Sequence, residues 1–358
     1  MTRVHREIFA ADFRDRIVHH LVINRVIKNF EEDMIPNSFS CRVGKGTLYA
    51  IKALQRDVLE YSKHTNKDIY VLKGDIKSFF MSLNKDKLFE VASKLIRDTD
   101  DDSEFTKSLI NQTIKDNPTL KCIRKQPRKL WKTLLPKDKS LFTVSSDYGL
   151  PIGNLTSQIF ANYYLMEFDK YIRDKLGFKY YGRYVDDFYV LSDDKEKLKE
   201  LIKVIRLKLS ELGLQLHPNK IYIQPVRKGV QFVGYVYKFN RIYTAKHTVG
   251  RFKECLQKIN DYLADNVPDT GDLTYTIQSV NSYFGFLKHC KTYNIRKKLI
   301  YSKVFDSITN YVHFNSSLSK VIPYREYSEY GKGISFLDLI KRPNYYKIDT
   351  HKLPRIVI

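Results

Sequence analysis

Apolar residues recur along the chain with two different spacings, one typical of helices and one typical of strands. Helical spacing runs through residues 7–30 and stops before Pro36, and it appears again in residues 194–213 and beyond residue 244. Residues 69–76, IYVLKGDI, are instead rich in β-branched and aromatic side chains and predict a buried strand. The apolar positions of the first helical pattern are Ile8, Phe13, Ile17, Leu21, Val22 and Val26.

The middle of the chain alternates between the two patterns. A Gly/Pro turn at 149–153 opens a stretch that reads as one long amphipathic helix up to Gly177. Residues 180–194, YYGRYVDDFYVLSDD, predict a hairpin with two acids at its tip, and residues 214–225 and 230–244 predict short strands. Strands and helices mix without regular βαβ alternation, which predicts an α+β core followed by a helical module.

The charge balance narrows the classes of partner. The chain has 358 residues with 62 Lys+Arg against 40 Asp+Glu, a formal net charge of +22. Hydrophobic residues make up 43%, enough for a core, so wholesale disorder is excluded. Excess positive charge together with 26 Tyr and 21 Phe favours a nucleic-acid partner. The densest basic stretch, residues 115–139, indicates a nucleic-acid-facing surface, with a solvated basic loop as the alternative.

Other classes are disfavoured by what the sequence lacks. Its four cysteines are scattered, with no C-x-x-C pair, so neither a disulfide framework nor a structural zinc site is indicated. The first twenty residues mix charges and contain no apolar segment of signal-peptide type, and no apolar run is long enough to span a bilayer. We expect a cytoplasmic protein without a membrane partner.

Three carboxylates stand where strands are predicted to end. Asp75 closes the strand IYVLKGD, and Asp186 and Asp187 lie at the hairpin tip. Two-metal phosphoryl transfer needs carboxylates from separate strands to hold two divalent cations about 3.5–4 Å apart. Adjacent carboxylates repel each other, and bound Mg²⁺ would relieve that repulsion. Alone, Tyr-x-Asp-Asp is equally typical of an ordinary hairpin turn.

The order of the motifs adds a family resemblance. From about residue 13 to residue 292 the chain resembles a reverse transcriptase. The segments that carry the resemblance are, in order, SFSCRVGKGT, GDIKSFF, GLPIGNLTSQ, YVDD, LGLQLHPNK, QFVGYVY and NSYFGFLKHCKTY. The last of these resembles the thumb of bacterial group II intron-like enzymes.

The resemblance implies a fold and a division of the chain. The fold is α+β, a right-hand polymerase whose fingers and palm contain an antiparallel sheet packed on helices, with a helical thumb. The implied parts are N-terminal fingers at 1–74, a palm at 75–238 with a fingers portion at about 100–147, a helical thumb at 239–315 and a C-terminal tail at 316–358.

The subfamily is indicated by departures from the common pattern. Ile152 stands where most reverse transcriptases carry Gln, and Gln158 stands where many carry Pro. With CRVGKGT, this resembles the enzymes of diversity-generating retroelements, which are bacterial or phage-encoded. Such enzymes copy a template RNA into cDNA from dNTPs with frequent errors opposite adenine, beside a small, basic, oligomeric accessory protein.

Two alternatives stay open. One is an intron-derived, retron-like or antiphage reverse transcriptase, although the short tail offers no metal-cluster endonuclease and retron NAxxH and VTG motifs are missing. The other is a non-catalytic RNA-binding protein on a polymerase scaffold. The three retained acids argue against it, because unpaired carboxylates at strand ends are costly.

The resemblance also implies roles for individual residues, with two Mg²⁺ ions as cofactor and Mn²⁺ as a substitute. Asp75, Asp186 and Asp187 are the implied catalytic and metal-binding carboxylates, and the carbonyl of Ile76 is an added metal ligand. Alternatively, Asp187 does not bind metal and only shapes the electrostatic field at the site. The implied nucleotide-binding residues are Arg42, Lys45, Phe80, Ile152, Gly153, Gln158 and Lys220. The implied primer- or template-binding residues are Tyr184, Gly234, Lys125, Arg128 and Lys129.

Two of these residues have a plain structural alternative. Phe80 is implied to be a steric gate against the ribose 2′-OH, but Phe79 or Met81 could equally face inward and leave Phe80 in a core. Ile152 offers only apolar contact where Gln would hydrogen-bond, which predicts weaker discrimination between nucleotides. The alternative is that Ile152 packs under the following helix.

Overall fold

The computed structural model describes residues 5–97, 102–125, 127, 131, 133–302 and 306–327, without the side chains of residues 270 and 326. These residues form two compact units. The first contains residues up to 233 together with 237–240, and the second contains 234–236 together with residues from 241 onward. Each unit has its own hydrophobic core.

A four-stranded antiparallel sheet forms the centre of the first unit. Its order is β2-β3-β1-β4, so that β1 lies between β3 and β4. The strands are β1 (Tyr70–Asp75), β2 (Tyr181–Tyr184), β3 (Asp187–Ser192) and β4 (Tyr222–Pro225). The predicted strand at 69–76 and the predicted hairpin at 180–194 are therefore both present.

Helices cover this sheet and complete the core, in keeping with the predicted α+β class. They are α1 (Phe13–Asp33), α2 (Thr47–Ser62), α3 (Phe79–Ser82), α4 (Lys85–Ser93), α5 (Ser103–Lys115), α6 (Leu155–Tyr164), α7 (Met166–Lys170) and α8 (Lys195–Glu211). Helix α8 agrees with the pattern at 194–213: Leu198, Leu201, Ile205 and Leu209 are buried, while Ile202 is only half-buried. Strand β1 is therefore covered on both faces, and its residues from Val71 to Gly74 are buried.

Helix α1 differs from its prediction in both start and buried face. It begins at Phe13, capped by Asp12, so Ile8 lies outside it. Phe13, Ile17 and Leu21 are exposed. The buried face is His19, Val22, Ile23, Val26, Asn29 and Phe30. The pattern contained two overlapping apolar faces, and α1 packs against α6 and α5 through only one of them.

The long amphipathic helix predicted up to Gly177 is wrong in two respects. It is broken into α6, α7 and a π-helical turn at Tyr171–Lys175. In addition, α6 is buried on nearly every side, from Thr156 to Tyr164, so it is a core helix rather than a surface helix.

Helix α2 contributes a buried acid to the edge of the sheet. The Asp57 carboxylate is 5% exposed and accepts hydrogen bonds from the Tyr189 hydroxyl at 2.7 Å and the Asn37 amide at 3.0 Å. Burial raises the pKa of Asp57 to about 6, although these hydrogen bonds and the nearby Arg56 act in the opposite direction. A carboxyl that resists ionisation in the folded state makes stability depend on pH.

We expect Asp57→Asn to be more stable than wild type at pH 8, by up to about 3 kcal/mol. Because the folded-state pKa lies above the ordinary value, the wild-type free energy of unfolding falls as pH rises from about 4 to about 6 through this group. The free energy of unfolding of the variant does not fall in this way, because its amide does not ionise. The amide oxygen can still accept the hydrogen bond from the Tyr189 hydroxyl. Denaturant unfolding between pH 4 and pH 8 measures the effect, with the exposed Glu200→Gln as control. Parallel pH curves for wild type and Asp57→Asn would contradict it.

The second unit is mainly helical. Its elements are α9 (Lys246–Asp265), α10 (Thr270–Leu287), α11 (Tyr293–Ile300), α12 (Asp306–Thr309), β8 (Val312–Phe314) and β9 (Val321–Pro323). The chain passes between the units through β5 (Val230–Phe232), β6 (Tyr235–Lys238) and β7 (Arg241–Thr244). Strands β8 and β9 pair, so the tail boundary predicted at residue 316 falls inside a hairpin, with Leu318 and Val321 in the core of this unit.

The predicted boundaries between fingers, palm, thumb and tail stay predictions. Among the residues that the structure describes, no helix has both the length and the apolar composition that crossing a bilayer requires.

Candidate active site

The three predicted carboxylates lie side by side at one end of the sheet. Asp75 is the last residue of β1 and Asp187 the first of β3, and the two are direct partners in the antiparallel register. Directly opposed residues project from the same face of a sheet. Asp186 precedes β3 in the turn, and its carbonyl accepts a hydrogen bond from the Ile76 N–H at 3.0 Å. Strand pairing therefore brings together acids that lie far apart in the sequence.

The turn that carries Asp186 has an unusual backbone. Val185 has φ +57°, a left-handed conformation that β-branched residues rarely adopt. Arg183 donates from Nη1 to the Val185 carbonyl at 2.9 Å, and its guanidinium is fully buried against Asp169, with Nε–Oδ1 at 2.7 Å and Nη2–Oδ2 at 2.5 Å. A rigid buried ion pair therefore supports the strained turn.

Two lysines reach these carboxylates. The predicted residue Lys220 donates from Nζ to Asp75 Oδ2 at 3.0 Å. Lys73, which the sequence interpretation missed, is buried, donates to the Asp187 carboxylate and lies 4.6 Å from the ring centre of Phe232. Burial lowers the pKa of Lys73 to about 7 against the opposing charges of Asp75 and Asp186. In the sequence, its signal was a second charge close to Asp75 in the otherwise apolar segment IYVLKGD.

The residues fit a divalent cation through Asp75 and Asp186. Burial, and next the charge of Asp75, raise the pKa of the Asp186 carboxyl, and a bound cation would relieve both effects. Carboxylate oxygens are the ligands that Mg²⁺ prefers. Within the described residues, no three acidic, histidine or cysteine side chains already converge on one point. The Asp187 carboxylate is instead paired with Lys73.

Phe80 and Ile152 pack against one small apolar cluster. Phe79 and Met81 are 2% and 6% exposed, whereas Phe80 is half-buried, so Phe80 is the ring that reaches the surface. Ile152 and Phe80 both pack against a buried cluster of Phe9, Met81 and Leu141. The two predicted selecting residues therefore share a support, and Ile152 packs there rather than under the following helix alone.

The N-terminal segment, another part that the sequence interpretation missed, passes against this turn. Phe9 N–H donates to the Ile152 carbonyl at 2.8 Å. Gly153 has φ +124°, and a Cβ there would lie 2.3 Å from the Phe9 carbonyl oxygen, so only glycine fits. The exposed Arg6 lies near enough to lower the pKa of Asp186. In the sequence, the sign of this N-terminal segment was the close mixture of charged and apolar residues in HREIF.

Arg42 and Lys45 are engaged within the fold. The Arg42 guanidinium donates to the Glu31 carboxylate at 2.7 Å and to the Ile35 carbonyl at 2.6 Å, where α1 ends. Lys45 donates to the Pro36 carbonyl at 2.6 Å, and burial lowers its pKa to about 8. Both cations are therefore engaged by groups of the fold itself, and their nucleotide-binding role stays a prediction.

Gln158 and Tyr184 approach each other through Cys41. The Cys41 thiol lies 3.4 Å from Gln158 Oε1, and Cys41 has φ +56°. Burial, with a smaller effect of Cys41, raises the pKa of the half-buried Tyr184 hydroxyl. The structure thus brings one predicted nucleotide-binding residue and one predicted primer-binding residue to the same loop.

The remaining predicted residues are Lys125, Arg128, Lys129 and Gly234. Lys125 is exposed, while Arg128 and Lys129 lie outside the described residues. Gly234 belongs to the second unit, where its φ is +86° and the Phe286 ring lies 3.3 Å from the position of a Cβ.

Comparison with known proteins gives one family. Residues 5–237 match the family model described as reverse transcriptase (RNA-dependent DNA polymerase). No curated protein matches the chain significantly.

Similar solved structures include three telomerases. Apo telomerase from Candida tropicalis truncated from its C-terminal domain is 16% identical, with TM-score 0.46, over 64% of this chain and 45% of that chain. Apo telomerase from Candida tropicalis is 14% identical, with TM-score 0.43, over 94% and 60%. Telomerase from Candida albicans in complex with a TWJ fragment of telomeric RNA is 13% identical, with TM-score 0.44, over 84% and 48%. The chain spans about half the length of these structures.

Proposed function

Because this chain belongs to the reverse transcriptase (RNA-dependent DNA polymerase) family, we propose that it extends a primer along an RNA template with deoxynucleotides. The observation that carries this proposal is the register that makes Asp75 and Asp187 direct partners, with Asp186 beside them. Two strand ends thereby bring carboxylates to the same end of the sheet, and two-metal nucleotidyl transfer requires carboxylates from separate strands.

Asp75 and Asp186 are the residues that would hold two Mg²⁺ ions, or Mn²⁺ in their place. Bound there, such ions supply activation of the primer 3′-hydroxyl and neutralisation of the leaving pyrophosphate. Lys220, 3.0 Å from Asp75, is the candidate proton donor to the pyrophosphate. Lys73 holds Asp187, which supports an electrostatic role for that residue rather than direct ligation.

Phe80 and Ile152 would select the nucleotide. The partly exposed Phe80 ring, carried just after Asp75, would exclude a ribose 2′-hydroxyl, and Ile152 would offer the incoming base an apolar surface without a hydrogen bond. Gly153 and Gln158 would line the nucleotide site, and Tyr184 would contact the primer or the template.

Primer extension tests this proposal. Wild-type protein with Mg²⁺ should copy an RNA template using dNTPs and should use ribonucleotides poorly. Absence of any extension on RNA templates by folded protein, with Mg²⁺ or Mn²⁺ supplied, would overturn it.

We further propose that the enzyme serves a diversity-generating retroelement. The support is the pair Ile152 and Gln158 in GLPIGNLTSQ together with CRVGKGT. Its partners would then be a structured template RNA, the cDNA product and a small, basic, oligomeric accessory protein. A near-duplicate template repeat differing at adenines in the neighbouring DNA would support this assignment.

We expect Ile152→Gln to lower misincorporation opposite template adenine several-fold. Ile cannot donate or accept a hydrogen bond, whereas Gln does both, and one orienting hydrogen bond changes binding by about 0.5–1.5 kcal/mol. Sequencing cDNA made on one RNA template by wild type, Ile152→Gln and the apolar control Ile152→Val measures the effect. Equal adenine errors in all three, with activity preserved, would remove Ile152 from the fidelity argument.

A further inference from the structure

Glu7 is a buried carboxylate with two specific partners in the first unit. It is 3% exposed. The Ser140 hydroxyl donates to Oε2 at 2.6 Å, and the Leu141 N–H donates to Oε1 at 2.8 Å. Burial raises the pKa of this carboxyl even though both hydrogen bonds oppose the shift. A carboxylate removed from water at this cost fixes residues 7–9 against residues 140–141.

The segment fixed by Glu7 touches the turn before α6. Two residues after Glu7, the Phe9 N–H donates to the Ile152 carbonyl at 2.8 Å. The Phe9 carbonyl lies so close to Gly153 that a Cβ there would be 2.3 Å away. Because main chain meets main chain at this point, a shift of residues 7–9 must also shift the turn at 152–153.

The same segment supports Phe80. The buried cluster of Phe9, Met81 and Leu141 carries both Ile152 and Phe80 on its surface. Leu150 N–H also donates to the Phe80 carbonyl at 3.0 Å. Both residues that would select the nucleotide therefore rest on contacts that lead back to the Glu7 carboxylate. Asp75 is held separately by strand pairing, and Asp186 by the hydrogen bond from the Ile76 N–H to its carbonyl.

We propose that Glu7 is a positioning residue for nucleotide selection, acting through Phe9 on Ile152 and Phe80. It touches neither the carboxylates nor the nucleotide. Its loss should loosen the selecting surface and leave the chemical step nearly unchanged. This inference rests on the proposed polymerase function.

Steady-state extension on an RNA template tests this role. Glu7→Ala should raise the KM for dNTPs and the rates of misincorporation and ribonucleotide use roughly five- to tenfold, with kcat within about twofold of wild type. Glu7→Gln should restore much of the selectivity, since its amide still accepts from Leu141 N–H and can donate to Ser140.

Asp193→Ala is the matched control. Asp193 also accepts two side-chain hydrogen bonds, from Tyr61 at 3.0 Å and Thr65 at 2.9 Å, but it follows the far end of β3 from Asp187. Its loss should lower stability without changing KM or error rate.

The outcomes separate this inference from the proposed function. Unchanged KM, error rate and ribonucleotide use in an active Glu7→Ala enzyme overturn the inference alone, as do equal changes in Glu7→Ala and Asp193→Ala. Failure of wild type to extend any primer overturns both. If Glu7→Ala does not fold, Ser140→Ala, which removes one of the two donors, carries the test with the same expected direction.

Discussion

Asp186→Asn should reduce primer extension by at least about 10²–10³-fold while leaving RNA affinity nearly unchanged. The substitution removes one negative charge from a pair whose repulsion already raises the pKa of Asp186, so the affinity for divalent cations should collapse. One charge among a net +22 has little effect on phosphate contacts. Extension assays with Mg²⁺ and filter binding of RNA measure the two effects. Removing divalent ions with a chelator should abolish wild-type extension in the same assay.

Two further variants sharpen this test. Asp75→Asn should have the same effect, because Asp75 supplies the neighbouring carboxylate at the end of β1. Asp68→Asn, which removes a carboxylate from an exposed pair with Arg227 before the start of β1, is the matched control and should extend normally. Near wild-type extension by Asp186→Asn with Mg²⁺ as the sole divalent ion would rule out the catalytic assignment.

Arg183→Met should cost about 3–5 kcal/mol of the free energy of unfolding, because it leaves the fully buried Asp169 carboxylate without its cation. The double variant Arg183→Met, Asp169→Leu should recover much of this loss, since it removes both charges. Urea unfolding measures all three proteins. Equal destabilisation of the single and the double variant would contradict the expectation.

In the same set of variants, the rate of primer extension should not follow the free energy of unfolding. The double variant still lacks the donor that holds the Val185 carbonyl at 2.9 Å, so we expect its extension rate to stay low even where its stability returns. Lys203→Met, which breaks an exposed pair with Glu200 at 3.0 Å, is the control and should change stability by less than about 1 kcal/mol.

The elements that the sequence predicted well are those whose pattern is locally decisive. The segment 69–76 around β1 combines β-branched and aromatic residues, and α8 has a single apolar face with Gly213 after it, so few alternatives competed. Helix α1 had two overlapping apolar faces, and only its packing against α6 decided that Val22 and Val26 are buried while Phe13 is exposed. Local pattern cannot show which face meets a partner more than a hundred residues away.

The candidate site likewise contains residues that the sequence predicted and residues that only the tertiary structure reveals. The motifs placed Asp75, Asp186 and Lys220 in a list of candidates, and strand pairing brings them together. Glu7 and Lys73 show in the sequence only as charges among apolar neighbours, and their roles depend on partners that tertiary structure supplies. Arg42 shows the converse, since a cation in a glycine-bearing loop is used to hold the end of α1.

The central position of β1 has a consequence for folding. Its neighbours come from far along the chain: Lys73 and Asp187 are 114 residues apart, and Asp75 and Lys220 are 145 residues apart. Such non-local pairing closes large loops before any contact rewards it, and folding is correspondingly slow. On the ribosome, β1 leaves the tunnel with both edges unpaired and waits for β3 and then β4 to be synthesised. The strand that ends in Asp75 is therefore also a segment of the nascent chain that needs protection from aggregation.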